Sequence, residues 1–149
     1  MLLPRPEHGV VAAESPGSGP GYWSGAPCAA AGDDGIFLAY RLRRPIGQGR
    51  GYAVAVAHAA DGVRFETLLT IGKEDMATES LERPALVRTP EGRWRLYLSC
   101  ATTGTKHWRV EMTEAAHPAE FDIRHRETVL PGDAKTGVKD PVIRHRGGG

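Results

Sequence analysis

The chain has 149 residues, enough for one ordinary domain, with 40% apolar and 25% charged residues and a net charge of +1. That balance sets up no global field for nucleic acid or an anionic membrane, and no stretch approaches the ~18 apolar residues of a membrane span. Two cysteines, Cys28 and Cys100, are too few for a disulfide framework and lack metal-ligand spacing.

Residues 1–21 carry Pro4, Pro6, Pro16 and Pro20 with Gly17, Gly19 and Gly21. Proline and glycine punctuate rather than build elements, so an extended N-terminal arm is expected. Its first six residues lack the charged start and apolar core of a secretory signal, which makes the cytoplasm the expected compartment. From Tyr22 onward short strands are expected: 26–31, a turn at 32–35, then 36–42. A loop at 43–51 holds Pro45, Gly47 and Gly49; 52–59 alternates Val54 and Val56 with small residues, and the Asp61-Gly62 turn leads into 65–71. Cys28 and Cys100 fall within expected strands and read as free, buried thiols.

After an acidic loop the order repeats. Residues 82–88 form a strand, 89–92 a turn, and 93–100 a strand with Trp94, Leu96 and Leu98 on one face. Strands at 107–114 and 121–130 complete the unit, and 139–146 opens another. Pro27, Pro84 and Pro141 lie 57 residues apart, as do Gly35, Gly92 and Gly149, and Tyr40 and Tyr97 keep the same offset. A fixed period of this size marks a repeat architecture. No segment shows apolar residues at helical spacing over ten or more positions, so a helical repeat is a poor competitor; a plain sandwich or barrel stays open as the alternative, though it would not need the common period.

Four short strands per repeat, joined by tight turns, describe a propeller blade. The expected fold is therefore all-β: a β-propeller with two four-stranded antiparallel blades, at about 25–71 and 82–130, and the first strand of a third at about 138–149. Repeat folds generally need three or more units to bury their faces. The chain accordingly reads as the N-terminal part of a longer protein, with further C-terminal blades as its partner.

At the start of each unit stands a dipeptide ending in proline: Ala26-Pro27, Arg83-Pro84 and Asp140-Pro141. With the turn glycines and tyrosine-bearing second strands, this resembles the five-bladed propeller glycoside hydrolases, family 43 with the related family 32. The resemblance covers residues 22–149 and is densest at Lys139-Asp140-Pro141-Val142. It implies a central funnel lined by the first strand of each blade, holding an oligosaccharide or polysaccharide. It implies a catalytic base or nucleophile at the first-blade position, which is Ala26 here, and alanine can do neither task. It implies an aspartate that orients the acid or stabilises the transition state, matched by Asp140, and a general-acid glutamate in a blade outside this chain.

Around Asp140, the same register puts Arg83 one unit earlier, where pairing would favour an electrostatic role over proton donation. Glu82 is adjacent, but strand alternation turns it to the opposite face, and a structural role is the ordinary expectation. Trp23 and the pair His107-Trp108 offer rings for sugar stacking, although tryptophans are more often core, and Trp108 is expected there. Lys106 and Lys139 are candidates for hydroxyls or an acidic sugar, against the plainer expectation of solvated lysines. The arginine clusters at 41–44, 124–126 and 144–146 read as solvated strand ends. The six histidines lack ligand spacing, and neither HExxH nor a Gly-rich phosphate loop occurs, so no metal and no cofactor is expected. Three functions remain open: a glycosidase that is incomplete and inactive as this chain, a noncatalytic carbohydrate-binding propeller, and a protein-interaction scaffold.

Overall fold

Eight strands form in the computed structural model, which describes residues 6–105 and 107–144. Lys106 and the 145–149 part of the expected third unit lie outside the described residues, as do residues 1–5. The first sheet holds β1 (Trp23–Ala31), β2 (Ile36–Arg43), β3 (Gly51–Ala59) and β4 (Glu66–Gly72) in sequential order, each antiparallel to the next. The second repeats that order with β5 (Ala85–Arg88), β6 (Trp94–Ala101), β7 (Trp108–Ala115) and β8 (Glu127–Leu130). The two sheets pack face to face as an open pair and are not closed into a ring. No helix among the described residues is long and apolar enough to cross a membrane.

Strand alternation sends Phe37 and Ala39 of β2, with Val54 and Val56 of β3, to one face of the first sheet. Leu86, Trp94, Leu96, Leu98 and Cys100 come from the facing side of the second, and all are buried in one continuous core. Met76 and Leu81, on the connection between the sheets, are fully buried within it. Cys28 joins the sheets directly: the Leu86 N–H donates to its Sγ at 3.3 Å. Cys28 is half-buried and Cys100 buried, so the expectation of two buried thiols holds fully for the second alone. The opposite face of the first sheet (Leu38, Tyr40, Ala55, Ala57) is covered by Ala12 and Ala13 of the lead-in.

Departures from the expected elements have local causes. Both leading strands are interrupted at their proline, which has no N–H for a ladder. In β1 the register shifts between Gly25 and Cys28. In the second unit only an isolated bridge, Leu81 to Cys100, precedes the proline, and β5 begins after it at Ala85. The last strand of the second sheet is much shorter than 121–130: a 3-10 turn at Pro118–Glu120 precedes that span, and a second, Ile123–His125, occupies its first half. The Asp122 carboxylate caps the second of them by accepting the Arg124 N–H. Residues 138–144 run beside the second sheet without joining a ladder; the Val138 N–H reaches the Trp108 carbonyl.

The shared core makes the sheets one cooperative unit. Leu98→Ala should cost about 2–5 kcal/mol and should lower the urea midpoints of probes in both sheets together; two separate transitions would contradict the shared core. Cys100, its thiol pushed up to about 12 chiefly by burial, should resist alkylation at pH 8 until the chain unfolds.

Candidate functional site

Ala26, Arg83 and Asp140 mark the same register position in successive units, just before each proline. Ala26 and Asp140 also share a backbone conformation, with φ of +51° and +58°. Residues with a β-carbon rarely adopt it, aspartate and asparagine more readily than alanine. A residue before proline ordinarily stays extended, so both positions depart from the local preference. Strain of this kind persists only where surrounding structure holds it.

At Asp140 the holding groups are visible. Its N–H donates to Ser99 Oγ at 2.9 Å, and the Ser99 hydroxyl donates to the Arg83 carbonyl at 3.1 Å. The Arg83 N–H then donates to Asp140 Oδ1 at 3.2 Å, closing a ring of three hydrogen bonds. Ser99 is fully buried on β6, so the ring is anchored to the second sheet. The Asp140 carboxylate keeps 40% of its side chain exposed, and Lys139 Nζ lies 3.6 Å from Oδ2. Arg83 thus meets Asp140 through its main chain, not through the side-chain pairing suggested by the register.

Glu82 forms an ion pair with Arg41 of β2. Both side chains are largely withdrawn from water, at 16% and 7% exposure. Arg41 and Arg43, two apart on one strand face, lie over the Trp23 ring at 4.6 and 5.4 Å. Gly25 makes room for that ring, since a β-carbon there would collide with its edge. Burial, then the like charge of Arg43, lower the Arg41 pKa; Asp140 opposes them. Arg41 therefore sits electrostatically between the Glu82 and Asp140 carboxylates.

The reading of residues 41–44 as solvated strand ends fails at Arg41, which is 6% exposed. The missed residues of the cluster are Arg41 and Arg43. One signal was available: 57 positions on stand Leu98 and Cys100, both fully buried, so the arginines occupy a core register.

Trp108 is half-buried and lies outside the main core, with the Lys139 ammonium 5.1 Å from its ring centroid. His107, beside it, has a buried Nε2 without a hydrogen-bond partner. The structure therefore brings Trp23 together with Glu82 through Arg41, and Lys139 together with Asp140 and Trp108. Among the described residues no group of His, Cys, Asp or Glu is arranged to hold a metal ion. A cavity of about 590 Å³ lies away from this cluster, between the lead-in at Val10–Glu14 and Tyr40 and Phe65 of the first unit.

No protein-family model matches the chain, and no curated protein matches it in sequence. Solved structures do. The GH43_1 enzyme from Xanthomonas citri complexed with xylose is 16% identical, with a TM-score of 0.58 over 74% of this chain and 33% of that one. Its complex with xylotriose matches at 14% identity and a TM-score of 0.54, over 66% and 31%. A protein from Parabacteroides distasonis, named as a candidate glycoside hydrolase, matches at 22% identity and 0.52, over 73% and 32%. The chain spans about a third of the length of these structures. Its two sheets have the fold of the glycoside hydrolase propellers.

The Arg41–Glu82 pair generates a test of the site's construction. Removing one partner leaves a buried charge uncompensated. Arg41→Met and Glu82→Gln should each cost about 3–5 kcal/mol, and the double variant clearly less than their sum. Additive losses in a urea-denaturation cycle would show that the two side chains do not depend on one another.

Proposed function

We propose that the chain supplies part of the sugar site of a propeller of the glycoside hydrolase type, with Asp140 as its organising carboxylate. The observation carrying this is the ring of hydrogen bonds that holds Asp140 at positive φ while leaving its carboxylate half open to solvent. An aspartate that merely ended a turn would need no such scaffold. Glycoside cleavage passes through an oxocarbenium-like state, and a fixed negative charge beside the anomeric carbon stabilises it. Asp140, bound to a main-chain N–H and facing Lys139, suits that electrostatic role. The expected ligand is an oligosaccharide or polysaccharide.

Acid–base hydrolysis also needs a second carboxyl group across the scissile bond. Glu82 is engaged by Arg41, and the first-blade position holds Ala26. The chain on its own is therefore proposed to bind sugar without turning it over. Ala26 also favours the second reading, that the whole protein is a noncatalytic carbohydrate-binding propeller. An alanine on a backbone that suits aspartate leaves a binding surface with its acid–base group removed.

Xylose and xylotriose are natural first probes, as sugars bound by the Xanthomonas citri neighbour. Asp140→Asn keeps the side-chain shape and removes its charge. In the 149-residue chain it should weaken xylotriose binding about tenfold or more, with little change in melting temperature. Unchanged affinity would reduce Asp140 to a turn residue. No hydrolysis of aryl xylosides by the chain is expected, and robust turnover would overturn the missing-carboxylate argument.

A further inference from the structure

The fold does not need arginines at 41 and 43. The second sheet fills the same register with Leu98 and Cys100, both fully buried, and packs well. The core nevertheless ends, on the Asp140 side, in a concentration of positive charge. Arg41 and Arg43 flank Trp23, and Arg43 and Arg50 lie close enough to oppose the charge on Arg41. Lys139 Nζ lies 3.6 Å from the Asp140 carboxylate, which Arg83 meets only through its main chain.

Two carboxylates face these cations, and both are engaged. Glu82 pairs with Arg41; Asp140 takes the Arg83 N–H and faces Lys139. Among the described residues, neither Arg43 nor Arg83 makes an ion pair with a carboxylate. Among the described residues, the Nε–H groups of Arg41, Arg43 and Arg83 are buried without acceptors, as is that of Arg88 at the opposite end. Stacking on an indole engages the guanidinium charge but leaves its N–H hydrogens unused. Buried donors with nothing to accept them are costly, and in a native protein they call for a partner. The missing partner has a definite chemistry: it is anionic, rich in acceptors, and able to meet forked N–H donors, as carboxylates and phosphates do.

We propose that this arginine-rich end selects saccharides bearing an oxyanion, a carboxylate or a phosphate, over neutral ones. The proposal rests on the sugar-site reading above and specifies its substrate class. Asp140 would address the sugar ring, and Arg43 the charged substituent. With Arg41 balanced by Glu82 and Lys139 by Asp140, Arg43 and Arg50 keep the local field positive. Selection would then come chiefly from the neutral sugar's failure to satisfy the donors, which costs affinity at a site built for an anion.

The test is a titration of the intact 149-residue chain with glucose, glucuronic acid, glucose 6-phosphate and inorganic phosphate. It would be followed by the 15N–1H signals of the arginine Nε groups. At least one charged sugar should bind about tenfold or more tightly than glucose. The Nε–H signals of Arg41 and Arg43 should move, and the preference should weaken as salt is raised. Preference for glucuronic acid identifies a carboxylate, and preference for glucose 6-phosphate a phosphate. Arg43→Gln should bring the charged-to-neutral ratio close to one. Arg43→Lys, which keeps charge and loses the fork, should fall between.

Equal binding of glucose and both charged sugars would overturn the proposal while leaving the sugar-site reading intact. Inorganic phosphate binding as tightly as glucose 6-phosphate would overturn it as well, since the sugar would contribute nothing. Failure of every sugar to bind, xylotriose included, would bring down both readings. The wild-type comparison decides these outcomes even if a variant fails to fold.

Discussion

A four-stranded sheet has two faces, and one sheet alone can hide neither from water. Everything in this chain follows from pairing one face of each. Phe37, Ala39, Val54 and Val56 lie against Leu86, Leu96, Leu98 and Trp94, and the connection through Met76 and Leu81 is drawn into the same core. Burying such side chains contributes about 1.5–3 kcal/mol each before entropy is counted. Local anchors then fix the registration. Gly51 approaches the carbonyl of Leu81 too closely for a side chain, and its own carbonyl accepts the Leu81 N–H at 2.8 Å. At the opposite end Arg88 holds the Asp33 carboxylate by two 2.6 Å hydrogen bonds, which keep that carboxyl below its usual range. That pair is solvent-exposed, and its role is orientation more than stability.

The same packed face changes character along its length. Through its middle it is aliphatic and aromatic; toward the Asp140 end it becomes Trp23, Arg41, Arg43 and Glu82. A propeller places the ends of its leading strands around an axis, and charged side chains can remain there because they are not wholly enclosed. Arg41 is the exception, enclosed and tied to Glu82 on the neighbouring unit. This ion pair joins the two units at the place where the apolar core stops. Packing between blades and polarity of the site are thus coupled through one guanidinium.

Much of this was legible in the sequence because a repeat shows the same constraint twice. The 57-residue spacing of Pro27, Pro84 and Pro141 located the leading strands, and Val54, Val56, Leu96 and Leu98 showed the alternation of the inner strands β3 and β6. Asp140 beside Arg83 followed from register, though only the structure shows that the main-chain N–H makes the contact. Three features were hidden for physical reasons. The 3-10 turns before β8 depend on the Asp122 cap and on Phe121 turning inward, both outside strand periodicity. Proline interruption of the leading strands becomes evident only once the ladder is seen to lack its donor. The burial of Arg41 reverses the rule that a run of arginines is solvated, because Glu82, distant in sequence, supplies its counter-charge.

Ala26 has a consequence for how this surface can change. Its backbone already stands at φ +51°, in a bulge that Pro27 enforces and where a methyl group is an awkward fit. Aspartate, asparagine and glycine accept that geometry with less steric cost. A carboxylate at this position would meet a main chain shaped like the one that carries Asp140, with no rebuilding of the fold around it. On the proposed reading of the site, the step from holding a sugar to reacting with it is therefore short at this strand in conformational distance.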